Sequence, residues 1–108
     1  RAAPPQLRAA ISVHGVLAAS GLPRMPIAAS VLVLHGWEDP TSSPEDLLAL
    51  TAELTECGAD WQLHAYGHAM HAFTFEGLHA PERGLAFHPA ASRRAWASIA
   101  TFLAEQLG

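Results

Sequence analysis

An α/β fold, a parallel sheet of about three strands with two main helices, is what this sequence predicts. Three observations carry the prediction. Val31-Leu32-Val33-Leu34 is a continuous apolar run, which suits a strand buried on both faces. Strand patterns alternate with helix patterns along the chain, and that alternation implies parallel pairing through crossovers. Two polar segments, His35-Gly36-Trp37-Glu38-Asp39 and His68-Ala69-Met70-His71-Ala72-Phe73, each follow directly on a predicted strand. In parallel sheets, chemistry collects at the carboxyl ends of the strands.

The elements follow in order. Ala9-Ala10-Ile11-Ser12-Val13 reads as a short strand ending at His14-Gly15. Gly21, Pro23 and Pro26 interrupt the next stretch, so any helix there is brief. The Val31 strand ends at His35-Gly36. Ser43 then offers an N-cap, Pro44 suits the first helical position, and Glu45 and Asp46 complement the helix dipole. Leu47, Leu50, Leu54 and Cys57 recur on one helical face, and Gly58 stops the helix. From Asp60 to Tyr66 the pattern alternates, with Trp61, Leu63 and Ala65 on one side, as in a strand with one less buried face. Ala90 to Leu107 reads as a second helix with Trp96, Ile99 and Leu103 as its apolar stripe.

At 108 residues the chain is a single domain. Half of its residues are hydrophobic, which argues against disorder. A formal charge of −4 argues against a nucleic-acid partner. No run of about 18 apolar residues suits a membrane span, and no membrane association is expected. The single Cys57 excludes an internal disulfide and fits a reducing compartment, so a cytoplasmic location is the expectation. Its place on an apolar helix face suits a small buried hydrophobe better than a nucleophile.

The predicted topology brings His14, Asp39 and His71 to one sheet edge. An aspartate that accepts the imidazole Nδ1–H fixes the ring tautomer. It also stabilises the imidazolium formed when the histidine takes a proton. Asp39 and His71 are therefore the candidate catalytic residues. A nucleophile would be expected earlier in the chain, on a turn of the form G-x-S-x-G or G-x-C-x-G. The sequence contains neither.

Val31-Leu32-Val33-Leu34-His35-Gly36-Trp37-Glu38-Asp39-Pro40, the Pro44-Glu45-Asp46 helix start and Tyr66-Gly67-His68-Ala69-Met70-His71-Ala72-Phe73 resemble the C-terminal part of the dienelactone hydrolase family, within the α/β-hydrolase superfamily. Ser12-Val13-His14-Gly15 resembles a family strand end, and Ala91 to Leu103 the last helix. The resemblance implies that Asp39 is the triad acid and His71 the triad base. It implies a hydrolase of ester, lactone or related phosphoester bonds in a small-molecule substrate. It also implies a nucleophile, usually a cysteine, on a segment upstream of Arg1. The chain is thus expected to be the C-terminal portion of a longer domain.

Two alternatives stay open at this stage. Seven histidines are many for this length, and His14, His35, His64, His68, His71 and His79 fall at strand ends or in adjacent loops. A zinc-type site of Asp39, His71 and at least one of His14, His35 or His68 would make a bound water the nucleophile, although no spacing matches H-E-x-x-H. Otherwise no cofactor is expected. The chain could instead be an inactive piece that needs its missing half. Either way the Ala9 to Val13 strand has a bare edge, so a homodimer or pairing with the missing N-terminal half is expected. Ile11, Val31 and Val33 would form the uncovered patch.

Overall fold

The structure, a computed structural model, describes residues 4–108. Three parallel strands form the sheet: β1 (Ala9–Val13), β2 (Ser30–Gly36) and β3 (Asp60–Tyr66), in the order β1-β2-β3. Ala9 lies opposite Ser30 and Val13 opposite Leu34, while Ser30 lies opposite Asp60 and Gly36 opposite Tyr66. This register brings the ends of all three strands to one edge. The fold class expected from the sequence is therefore the one observed.

Alternation along β2 divides the core into two parts, because successive side chains leave a strand on opposite faces. Val33 packs with Leu17, Ile27, Leu47, Leu50, Leu54 and Cys57 on one face. Leu32 and Leu34 pack with Ala69, Phe73, Ala91, Ala95, Ile99 and Phe102 on the other. Helix α1 (Pro44–Glu56) contributes to the first cluster and helix α2 (Pro89–Leu107) to the second. With a helix on each face, the middle of β2 is buried on both sides, which explains its unbroken Val-Leu run from Val31 to Leu34.

Helix α1 forms as its sequence dictates. The Ser43 side chain accepts from the Asp46 amide, the Asp46 side chain accepts from the Ser43 amide, and Pro44 occupies the first turn. Cys57 ends the helix as a buried free thiol, and Gly58 follows in the left-handed region at φ 73°. The segment between β1 and β2 contains no helix.

Two expectations need correction. Of the expected α2 stripe only Ile99 is buried; Trp96 and Leu103 are exposed. The buried stripe is Ala91, Ala95, Ile99 and Phe102. Alanines one turn apart let the helix backbone approach the sheet closely, so the small residues face inward and the bulky indole faces out. Nor do Ile11, Val31 and Val33 share an uncovered face. Ile11 packs on the α2 side, and Val31 and Val33 on the α1 side, with Val33 fully within the core. The opening beside β1 is instead a groove of about 530 Å³ on the α1 side, lined by Ala10, Ser12, Val16, Leu22, Ile27 and Val31 among others. Among the described residues β1 pairs only with β2.

Beyond β3 the chain forms a small antiparallel pair, β4 (His79–Ala80) and β5 (Leu85–Ala86), around a short 3-10 turn at Pro81–Arg83. Nothing in the sequence pattern announces it, because each strand has only two residues. No helix among the described residues is long and apolar enough to cross a membrane.

Candidate active site

The turn after β2 is built by backbone hydrogen bonds and one close approach. Trp37 and Glu38 donate their amides to Tyr66 O and Ala69 O, both at 2.9 Å, which ties the β2 exit to the loop after β3. Gly36 makes this possible. A Cβ there would sit 2.5 Å from Met70 O and 2.7 Å from Ala69 O, so only glycine lets the two backbones pass. The Asp39 amide then closes the turn onto Gly36 O at 3.0 Å.

Asp39 is buried, and both carboxylate oxygens are used. Oδ1 accepts from the Thr41 amide at 2.8 Å and from the Thr41 hydroxyl at 2.6 Å. Oδ2 lies 2.7 Å from His71 Nδ1. Burial alone pushes the carboxyl pKa up, but the hydrogen bonds from Thr41 and His71 outweigh it and hold the group below the usual carboxylate range. Asp39 is thus an anion at neutral pH, and it faces an imidazole nitrogen.

His71 stands in the loop after β3. Its amide donates to Gly84 O at 2.9 Å, and it makes a parallel bridge to Leu85 of β5. About a quarter of its side chain is exposed (24%), whereas the Asp39 side chain is fully covered (0%). With Nδ1 engaged by the carboxylate, the lone pair of the neutral ring lies on Nε2. That nitrogen is the one able to accept a proton from a reacting group.

The other histidines divide sharply. His14, at the end of β1, adopts a left-handed backbone (φ 40°) and brings its ring centroid to 5.7 Å from that of His71. Its Nε2 shares a 2.8 Å hydrogen bond with Thr74 Oγ1. Burial and the neighbouring His71 lower its pKa. His35 is buried with Nδ1 unpartnered, and burial lowers its pKa although Asp39 pulls the other way. His68 points outward, its side chain 89% exposed, with Glu38 the nearest acid at 3.9 Å. His64 lies against Tyr66, at a ring separation of 6.5 Å. Among the described residues no group of three or more His, Cys, Asp or Glu is placed to hold a metal ion.

Sequence reasoning therefore finds Asp39, His71 and the approach of His14, but overlooks Thr41, Thr74 and Gly84. The Asp39-Pro40-Thr41 pattern carries a readable signal for Thr41, since an aspartate commonly accepts from the backbone two residues on. Gly84 is left-handed (φ 73°), and a Cβ there would lie 2.4 Å from Pro40 Cγ. It thus packs the hairpin that holds His71 against the turn that holds Asp39, a contact with no sequence signature.

Comparison with known proteins identifies the family and the fold. The model of the dienelactone hydrolase family matches residues 1–107. The dienelactone hydrolase-like promiscuous phosphotriesterase P91, from metagenomic libraries, is 34% identical and superposes with a TM-score of 0.77, over 93% of this chain and 43% of its own. The structure named m3DLH is 33% identical with a TM-score of 0.74, over 93% of this chain and 42% of its own. A Klebsiella pneumoniae protein provisionally described as a dienelactone hydrolase is 22% identical, with a TM-score of 0.73 over 94% of this chain and 43% of its own, and shares the fold. No curated protein matches the chain. The chain spans less than half the length of these structures. Matched over nearly its whole length, it belongs to the dienelactone hydrolase family.

Proposed function

We propose that this chain carries the acid and base of a hydrolase site acting on ester, lactone or related phosphoester bonds, with His71 as the proton-transferring base and Asp39 as its orienting acid. The 2.7 Å contact between His71 Nδ1 and a fully covered Asp39 carboxylate is the observation that carries this reading. As a nucleophile's X–H attacks the carbonyl carbon or phosphorus, its proton passes to His71 Nε2. The imidazolium is stabilised by Asp39, and the same proton then goes to the departing alkoxide. The nucleophile itself is not one of the residues gathered at this pair, and it comes from another segment or from water. Similarity to a protein named as a promiscuous phosphotriesterase supports including phosphoesters.

The test is hydrolysis of p-nitrophenyl acetate and of an activated phosphotriester by the protein and by two variants. His71→Ala and Asp39→Asn should each lower turnover by about 100-fold while the fold persists by circular dichroism. Full turnover in both variants would refute the assignment.

A further inference from the structure

Two non-glycine residues with left-handed backbones flank His71 in space. His14 (φ 40°) ends β1, and Ala72 (φ 58°) directly follows His71. Each costs on the order of 1 kcal/mol or more and persists only where surrounding contacts over-determine it. The contacts here converge on one segment. Thr74 Oγ1 bonds His14 Nε2 at 2.8 Å. The His14 ring meets Phe73 at 5.4 Å, Phe75 at 5.5 Å and His71 at 5.7 Å, all edge-to-face. Elsewhere the segment is held by backbone bonds, His71 N–H to Gly84 O and His88 N–H to Phe73 O, and by the Phe73 side chain buried in the second core cluster. His14 and its bond to Thr74 tie the end of β1 by a polar contact to the segment that carries the imidazole, beside the apolar packing of β1 on the cluster that holds Phe73.

We propose that His14, through its hydrogen bond to Thr74, is a positioning residue that sets the ring of His71 on Asp39. Together with the exposed Phe75 it forms the wall of the site beside the imidazole. This rests on the acid–base reading of Asp39 and His71. The lowered pKa of His14 keeps it uncharged near neutral pH, so it does not oppose the positive charge His71 gains on taking a proton.

The experiment compares His14→Phe, which keeps a ring but loses the hydrogen bond, with His14→Gln, which reaches about as far and can still bond Thr74. Thr74→Val and the double variant His14→Phe/Thr74→Val complete the set. The low-field proton resonance of His71 Nδ1–H, assigned by its loss in His71→Ala, reports ring positioning without any turnover. It should persist in His14→Gln and broaden or vanish in His14→Phe and Thr74→Val, with thermal melts showing folded protein. In ester hydrolysis, kcat should fall about tenfold in His14→Phe and Thr74→Val, with KM changed less than about twofold. The double variant should be no worse than the poorer single one, as expected for two residues acting through one contact. A resonance and a kcat unchanged in both single variants would overturn the proposal, and Thr74→Val alone decides if His14→Phe does not fold. If His71→Ala and Asp39→Asn keep full turnover while the resonance still depends on His14, the acid–base reading falls and the positioning role stands.

Discussion

Asp39 and His71 face each other across one short hydrogen bond, yet they are held in place by opposite means. Apart from His71, the hydrogen bonds to Asp39 itself are local: its amide on Gly36 O and its Oδ1 on Thr41, with a capped helix beginning at Ser43 just beyond. Around His71 the supports come from far along the chain: Gly84 and Leu85 of the hairpin, His88 before α2, and the Thr74 bond to His14 at the end of β1. The His71 loop also contains left-handed residues, His68 and Ala72, which local preference disfavours. The acid is therefore oriented mainly by its own neighbours in sequence, although its turn is tied to the loop after β3. The base is placed by contacts that include the second core cluster, through Phe73.

Removing the centre of that cluster should break the distinction most severely. Phe73 is fully buried and packs against the rings of His14 and Tyr66. Phe73→Ala should cost about 3–5 kcal/mol in urea unfolding. Leu48→Ala, at an exposed position of α1, should stay within about 0.5 kcal/mol. Similar costs at the two sites would show that the base side does not depend on its core.

Gly36→Ala probes the place where the two regions touch. The added methyl would clash with Met70 O and Ala69 O, which are backbone atoms with little freedom to yield. We expect destabilisation of about 2 kcal/mol and weakening of the His71 Nδ1–H resonance, because the clash separates the Asp39 turn from the His71 loop. An unchanged melting temperature would show that the loop adapts freely.

Stability should depend on pH through the histidines. The folded-state pKa values of His14 and His35 are lowered, in both cases first by burial, so the unfolded chain binds more protons as pH falls below about 6.5. Stability therefore rises with pH across that range and is lost on acidification. Asp39, whose pKa is also lowered, adds a contribution that is complete above its unfolded value of 3.8 and disappears as pH falls through its folded value. Melting temperatures measured from pH 7 to pH 5 should fall, and His35→Leu should flatten that fall by removing one buried titrating group. An equally steep fall in the variant would exclude His35 as a source.

Smaller effects sharpen the comparison. Thr41→Val removes one hydrogen bond to Asp39 Oδ1, so the carboxyl pKa should rise and stability should drop by about 1 kcal/mol. The His71 loop should keep its amide protection in hydrogen exchange, because the lost contact is local to the acid. His68→Gly should stabilise by about 0.5 kcal/mol, since glycine accepts φ 65° without steric cost and the imidazole, 89% exposed, loses only a surface contact with Glu38 at 3.9 Å. Destabilisation there would mean that the His68 side chain has a role its exposure does not suggest.

Much of this was readable from the sequence because it rests on short-range rules. The β2 run, the Ser43-Pro44-Glu45-Asp46 helix start, the Leu47-Leu50-Leu54-Cys57 face and the placing of Asp39 and His71 after strands all follow from periodicity, capping and the geometry of parallel sheets. The alternation that assigns Val33 and Leu34 to different helices is also implicit in the strand period. What only the tertiary structure decided depends on contacts between residues far apart in the chain. The alanines of α2 face inward because the sheet approaches closely there, and a sequence pattern weighted by bulk selects Trp96 instead. His14 reaches Thr74, Gly84 meets Pro40, and the two-residue strands β4 and β5 pair to hold His71, each through a contact with no local signature. Close packing selects these arrangements from many that the local preferences allow, so they are settled when the whole core forms.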